Sequence, residues 1–452
     1  MPRIHPKGGP IEALVGQLPA EQRRVLRHAL ACASCRTALL AMLDPEGAEG
    51  PELGRVLPWR FTERSYGATI EAVLRRLEPR LCLAEREQAE APELLASLLD
   101  HPPDRRAVMI GNGDRFRSLA LVYLLFEKSQ AIGFHDGYEA AGLAELALAV
   151  IERLDPELYG ARLLEDARGH SRVLQGNGRR IASDLRGADE AFSLAEEHLA
   201  RGTGDRLERA YFLHRKASLR RAQRRFSEAE ALLDTTISIY QRAGELHQAG
   251  TAMVNLATLS HRMGDSGKAI EQLRRAAELI DPEADPRLDL DVRHNLFTML
   301  AESGRYLEAQ ALSNRSSELY RRYGSPALNL RRLWVSGEIA RGVGRLEEAV
   351  ELFRQVREGF IELAVGYDVA LVSLDLAGVC AQLGRTAEVK RLAEEIIPIF
   401  LSRDVRRETY AALIVFQQAA ATEQATAGMV DEIARFLRHA PREAAPSFEP
   451  KA

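Results

Sequence analysis

His28, Cys32 and Cys35 stand at i, i+4 and i+7 of the run LPAEQRRVLRHALACASCRTALL. On a helix that spacing puts one imidazole and two thiols on one face. Those are three of the four ligands that tetrahedral zinc takes. A fourth must come from elsewhere, and His5, in the preceding segment, is the best candidate in reach; Asp44, Glu46 and Cys82 are weaker ones. The bland alternative is a pair of small buried thiols and a surface histidine on a capping helix. Signatures of catalysis are absent: there is no GxxxxGK followed by Ser or Thr, no HExxH and no GxSxG. Gly111-Asn-Gly113 and Gly176-Asn-Gly178 have no strand before them and predict helix-ending turns. The pairs His135-Asp136 and Asp100-His101 lack a nucleophile nearby. The expected protein is not an enzyme.

Its elements must be read from composition and periodicity. A length of 452 residues would give about three domains at roughly 150 residues each. Apolar residues make up 46% and charged residues 28%, an ordinary globular composition. Lys plus Arg number 61 against 65 Asp plus Glu, a formal charge of −4. That balance argues against direct nucleic-acid binding and against a grip on anionic membrane. Six of the basic residues are Lys, and the Arg excess fits codon composition better than phosphate binding. Four Cys in this length are no disulfide framework, which points to a reducing compartment. The opening MPRIHPKGGP lacks the apolar core of a signal peptide. Apolar stretches such as Leu119–Phe126 fall short of the roughly 18 residues of a membrane span, so a cytoplasmic protein is expected.

Internal repetition is the loudest signal. Gly264, Gly304, Gly344 and Gly384 lie 40 residues apart, as do Ala229, Ala269, Ala309, Ala349 and Val389. Tyr240, Ile280, Tyr320, Phe360 and Phe400 keep the same step. Each unit reads as two helices. Met253, Leu256, Ala257 and Ser260 follow helical spacing, Gly264 ends that helix, and Asp265 or Ser266 caps the next, which carries Ile270, Leu273, Ala277 and Ile280. Small residues where helices cross explain Ala257, Gly337 and Ala377; Phe297 breaks that row and predicts a wider crossing.

Here the chain resembles the tetratricopeptide repeat family. Ala257 to Ala269 and Gly337 to Ala349 keep that family's twelve-residue offset between small residues, and RFSEA (225–229), GRYLEA (304–309) and GRLEEA (344–349) look like its inter-helix turn. The family period is about 34 residues. Each helix here is therefore nearly a turn longer, and the family's terminal Pro is missing. The step of 40 also borders the HEAT and armadillo range, but the Gly-x-x-x-x-Ala turn favours the first assignment. The resemblance is clearest over Arg206–Phe400 and extends in divergent form from Arg115. It implies an all-α, tetratricopeptide-like solenoid of about seven or eight hairpins. The expected organisation is a helical module at 1–45, a Gly/Pro-rich linker at 46–65, a helical connector at 66–110, the solenoid at 111–440 and a tail at 441–452.

The N-terminal module is similar to the zinc-binding anti-sigma family, whose pattern is an early His, a short helix, then a helix carrying His-x-x-x-Cys-x-x-Cys. Carried over, the resemblance implies zinc held by His5, His28, Cys32 and Cys35, and a sigma factor as partner of this head. Thiolate ligands would make such a site oxidisable.

Tetratricopeptide arrays bind a protein or peptide along the face made by their first helices. The candidates on that face are Asn255, His294, Asn295, Arg331, Trp334 and Arg341. Asn offers donor and acceptor to a peptide backbone, and Trp and Arg are enriched in binding hot spots. Alternatively, the Asn residues join neighbouring repeats and Trp334 is core. The family's chaperone-tail clamp is not reproduced, since Val254 and Thr258 stand where it wants Lys and Asn. The basic run Arg215–Arg225 could meet an acidic partner or a phosphate; with Glu208, Glu228 and Glu230 nearby it reads as a solvated outer face. The reading is an adaptor with a zinc head, in bacterial transcriptional regulation. Its rivals are a peptide-sensing receptor-type regulator and a metal-free scaffold.

Overall fold

The computed structural model describes residues 82–133, 136–401 and 407–439. They are helical throughout, with no strand among the described residues, in the all-α, tetratricopeptide-like solenoid class. The helices are α1 (82–99), α2 (Pro103–Asn112), α3 (Leu119–Ile132), α4 (Gly137–Ile151), the single turn α5 (Pro156–Tyr159), α6 (Ala161–Ile181), α7 (Leu185–Arg201), α8 (Arg206–Ala222) and α9 (Phe226–Ala243). They continue with α10 (Leu246–Arg262), α11 (Ser266–Leu279), α12 (Pro286–Glu302), α13 (Tyr306–Arg315), α14 (Ser317–Tyr323), α15 (Pro326–Gly342) and α16 (Leu346–Glu362). The last are α17 (Gly366–Gln382), α18 (Thr386–Leu401), α19 (Arg407–Ala421) and α20 (Ala427–His439). Contacts divide the chain into two compact units, one up to Ile239 and one from Tyr240.

Local chemistry sets the helix ends. Side chains of Ser118, Asp136, Asp184, Asp205, Asp265, Asp285 and Ser325 each accept a hydrogen bond from a backbone N–H of the first turn, satisfying donors that no helix can satisfy internally. At the far end Gly264, Gly304, Gly344 and Gly384 adopt φ of 90°, 74°, 81° and 69°. The next N–H reaches back to a carbonyl five residues earlier, as Asp265 does to Ser260 at 3.0 Å and Arg345 to Ala340 at 2.8 Å. The expected left-handed terminator is therefore present at each of these steps.

In the first unit, the core runs through Leu98, Phe116, Leu121, Leu125, Phe126, Leu143, Ala147, Ile151 and Leu164, with a second cluster around Val173, Ala188, Phe192 and Phe212. One expectation fails here. Gly176-Asn-Gly178 does not end a helix but lies inside α6. A Cβ on Gly178 would sit 2.7 Å from the backbone of Gly137 and Ala141, and one on Gly176 would sit 2.9 Å from the Phe192 ring. These glycines are close-approach residues, which matters more than their turn propensity.

The second unit holds the regular hairpins α10/α11, α12 with α13 and α14, α15/α16 and α17/α18. The second helix of its second hairpin is interrupted at Ser316, so Ala309 and Tyr320 fall on separate segments. Every residue of α17 from Val369 to Cys380 is buried. Packed against it are Phe353, Val356 and Phe360 of α16, Leu392 and Ile396 of α18, and Val430, Ile433 and Ala434 of α20.

Candidate partner-binding faces

The proposed zinc ligands His5, His28, Cys32 and Cys35, and the weaker candidates Asp44 and Glu46, lie outside the described residues. Cys82 is exposed in α1. No group of three or more His, Cys, Asp and Glu side chains able to hold a metal occurs among the described residues.

The six first-helix candidates are all described. Asn255 on α10 donates from Nδ2 to the Thr251 carbonyl at 3.4 Å. His294 on α12 is half-buried, with Nδ1 2.9 Å from the Tyr320 hydroxyl and the two rings edge to face at 6.0 Å. Burial, and then the Arg331 guanidinium, pull the His294 pKa down to about 4. Burial chiefly holds Tyr320 well above the usual phenol range. In the tautomer of neutral His294 that carries its proton on Nε2, Nδ1 accepts the hydrogen bond that the Tyr320 hydroxyl donates. Asn295 beside it is half-buried. Arg331, Trp334 and Arg341 all leave α15 toward carboxylates of the chain itself. Exposed Arg331 reaches Asp368 at 3.1 Å. Trp334 donates from Nε1 to Asp375 at 2.7 Å and meets Phe360 edge to face at 5.9 Å. Arg341 spans α17 over Gly378 to hold both oxygens of Asp431 on α20 at 2.6 and 2.7 Å. Three residues chosen for a partner thus tie α15 to α17 and α20.

A register emerges across these helices. Val254, His294 and Trp334 share one position of the 40-residue step, and Thr251, Asp291 and Arg331 share another. Position 259 and its successors 299, 339 and 379 remain Leu, Met, Ile and Val, all buried. Core positions keep one chemistry while the first-helix face changes it from repeat to repeat.

Stepping back by 40 reaches residues that were not singled out for this face: Tyr211, His214, Arg215 and Arg221 on α8. In the first unit they adjoin α6. The rings of Phe126, His170 and Tyr211 succeed one another at 4.7 Å centroid spacing, the latter pair parallel within 6°. His170 Nδ1 lies 2.9 Å from Glu208. The Arg215 guanidinium lies over the Tyr211 ring at 5.1 Å. His214 is buried, and burial with Arg215 and Arg221 brings its pKa down to about 3. The basic run is therefore not one solvated face. Lys216 pairs with Glu196 at 2.7 Å, Arg220 with Asp189 at 2.7 Å and Arg225 with Glu228 at 2.6 Å, while Arg215 lies over the Tyr211 ring.

Residues 208–280 match the tetratricopeptide repeat family. The apo form of RapI is similar in fold, with a TM-score of 0.53 at 13% identity, covering 70% of this chain and 86% of that one. A Rap protein complexed with competence and sporulation factor gives 0.50 at 11% identity, again over 70% and 86%. A signal transduction ATPase with numerous domains and a tetratricopeptide repeat sensor, from Pyrococcus horikoshii, gives 0.50 at 12% identity, over 95% of this chain and 64% of that one. No curated protein matches the chain. Fold and match together define a protein built of tetratricopeptide-like repeats.

Proposed function

We propose that this chain is a non-enzymatic adaptor or regulator that binds a segment of another protein along the first helices of its hairpins. The observation that carries this is the register of half-buried or exposed, chemically diverse side chains, Val254/His294/Trp334 and Thr251/Asp291/Arg331, set beside unvarying core positions. The core positions keep one chemistry because like hairpins stack on like; a face that reads a partner is free to vary it from repeat to repeat. The chain acts in the cytoplasm, in bacterial transcriptional regulation, with zinc held at its head by His5, His28, Cys32 and Cys35 and a sigma factor as the head's partner. A peptide-sensing role is the second reading, supported by likeness in fold to a Rap protein complexed with competence and sporulation factor.

The test places a photo-crosslinking residue at Asn255 or Asn295 in the full chain, and at exposed Glu271 on α11 as the outer control. Adducts with one protein or peptide from the first two positions, and none from the third, are expected. Equal adducts from all three positions, or none at all, would end the proposal. Stoichiometric zinc in the purified chain, lost in Cys32→Ser, is the expected result for the head.

A further inference from the structure

In the first unit, α6 and α8 bring Arg180 and Arg215 near one another, and neither is ion-paired among the described residues. Arg180 on α6 has its pKa lowered to about 10, first by burial and then by the nearness of Arg221 and Arg215. Its own hydrogen bonds run to neutral Asn177, at 2.9 and 3.2 Å. Arg215 has no ion pair among the described residues, and its buried Nε–H has no acceptor; the buried Tyr211 hydroxyl beside its guanidinium has Arg215 as its neighbour and no acceptor for its own proton. The nearby carboxylate, Glu208, is bound to His170. Other arginines of this unit behave differently: Arg168, Arg201 and Arg220 each hold a carboxylate at 2.7–3.0 Å. Buried donors almost always find acceptors, and buried charges find counter-charges. Two adjacent donors without acceptors, beside clustered like charges, describe half of an interaction.

We propose that Arg180, Arg215 and Tyr211 form an anion-binding site on the first-helix face of α6 and α8, and that its ligand is a carboxylate of an acidic peptide segment. The class of ligand follows from scale and surroundings. Two or three guanidinium groups suit one or two carboxylates. A nucleic-acid backbone needs a long basic track, and here it would meet Asp189 and Glu196 on α7 and Glu228 on α9. The position corresponds, one step earlier, to the register that carries the proposed partner-binding face, so the inference rests on that reading and gives it a charge.

Hexaglutamate peptide, titrated into the full chain at fixed ionic strength and followed by fluorescence anisotropy, provides the test, with hexaglutamine as the neutral control. Binding of hexaglutamate alone is expected. Arg180→Gln with Arg215→Gln should weaken it at least tenfold. Removing the same charge from Arg225 and Arg345, exposed arginines already paired with glutamates, should change it less than twofold. Without peptide, the Arg180/Arg215 variant should melt close to the parent, because losing the bonds to neutral Asn177 and the contact with the Tyr211 ring is offset by relief of the repulsion between the guanidinium groups. A variant that melts several degrees lower and still binds would reassign these arginines to structure and overturn the site. Inorganic phosphate binding as tightly as the peptide would overturn the ligand class. If crosslinks from Asn255 and Asn295 are found while hexaglutamate fails to bind, this inference falls and the partner-binding face stands.

Discussion

At the scale of single residues, the chain uses the same side-chain types for two purposes, and environment separates them. Trp334 looks in sequence like a hot-spot residue, yet its Nε1 is committed to Asp375, a carboxylate only 3% exposed. A buried acceptor that loses a donor carries its desolvation cost uncompensated. Trp334→Phe should therefore destabilise the second unit by about 1–3 kcal/mol. Adding Asp375→Leu should cost less than the sum of the two single changes, because both ends of the bond then leave together. Urea unfolding of the two single variants and the double variant measures this, and strict additivity would refute it. Trp334 was legible as important but not as engaged. Its partner lies 41 residues away, where no local rule points.

At the scale of helices, legibility follows the range of the force involved. Gly264 and its successors were readable because a positive φ is imposed by the turn itself. Gly176 and Gly178 were misread because their reason is the backbone of another helix, brought close only by folding. Gly337 belongs to the second kind. A Cβ there would meet the Phe353 ring at 2.6 Å. Gly337→Ala should cost about 1–3 kcal/mol by overpacking, and Phe353→Leu in the same chain should restore part of it. Gly428 on α20 has open space instead, so Gly428→Ala should raise stability by up to about 1 kcal/mol. Two alanines of opposite effect, compared by thermal melting, separate crossing glycines from incidental ones.

At the scale of the whole chain, each unit contains a histidine held neutral. Burial first, then neighbouring guanidinium groups, keep His214 near a pKa of about 3 and His294 near about 4, against 6.5 for the free side chain. Below pH 6.5 the unfolded chain takes up protons that these folded sites refuse, so stability rises with pH across the window. It is lost progressively as pH falls from 6.5 toward 4 for His294 and toward 3 for His214. The slope per histidine is about 1.4 kcal/mol per pH unit. The difference in unfolding free energy between the parent chain and His294→Gln should shrink steadily from pH 6.5 to 4.5; a difference independent of pH would show that the imidazole is not held neutral. The fold class itself was legible from the 40-residue step, since like hairpins need like contacts. The aromatic column of Phe126, His170 and Tyr211 was not, because it joins three hairpins of which the earliest depart from the period.

The burial of α17 has a practical consequence. Most helices here keep a wet side, but this one is buried around its circumference and mostly apolar, as a helix enclosed by neighbours must be. Part of its cover, Val430, Ile433 and Ala434, comes from the last described helix. Cutting the chain just before residue 425, a natural choice for trimming an expressed fragment, would strip that cover. The shortened product should be sticky and prone to clump, a failure easily mistaken for lost ligand binding.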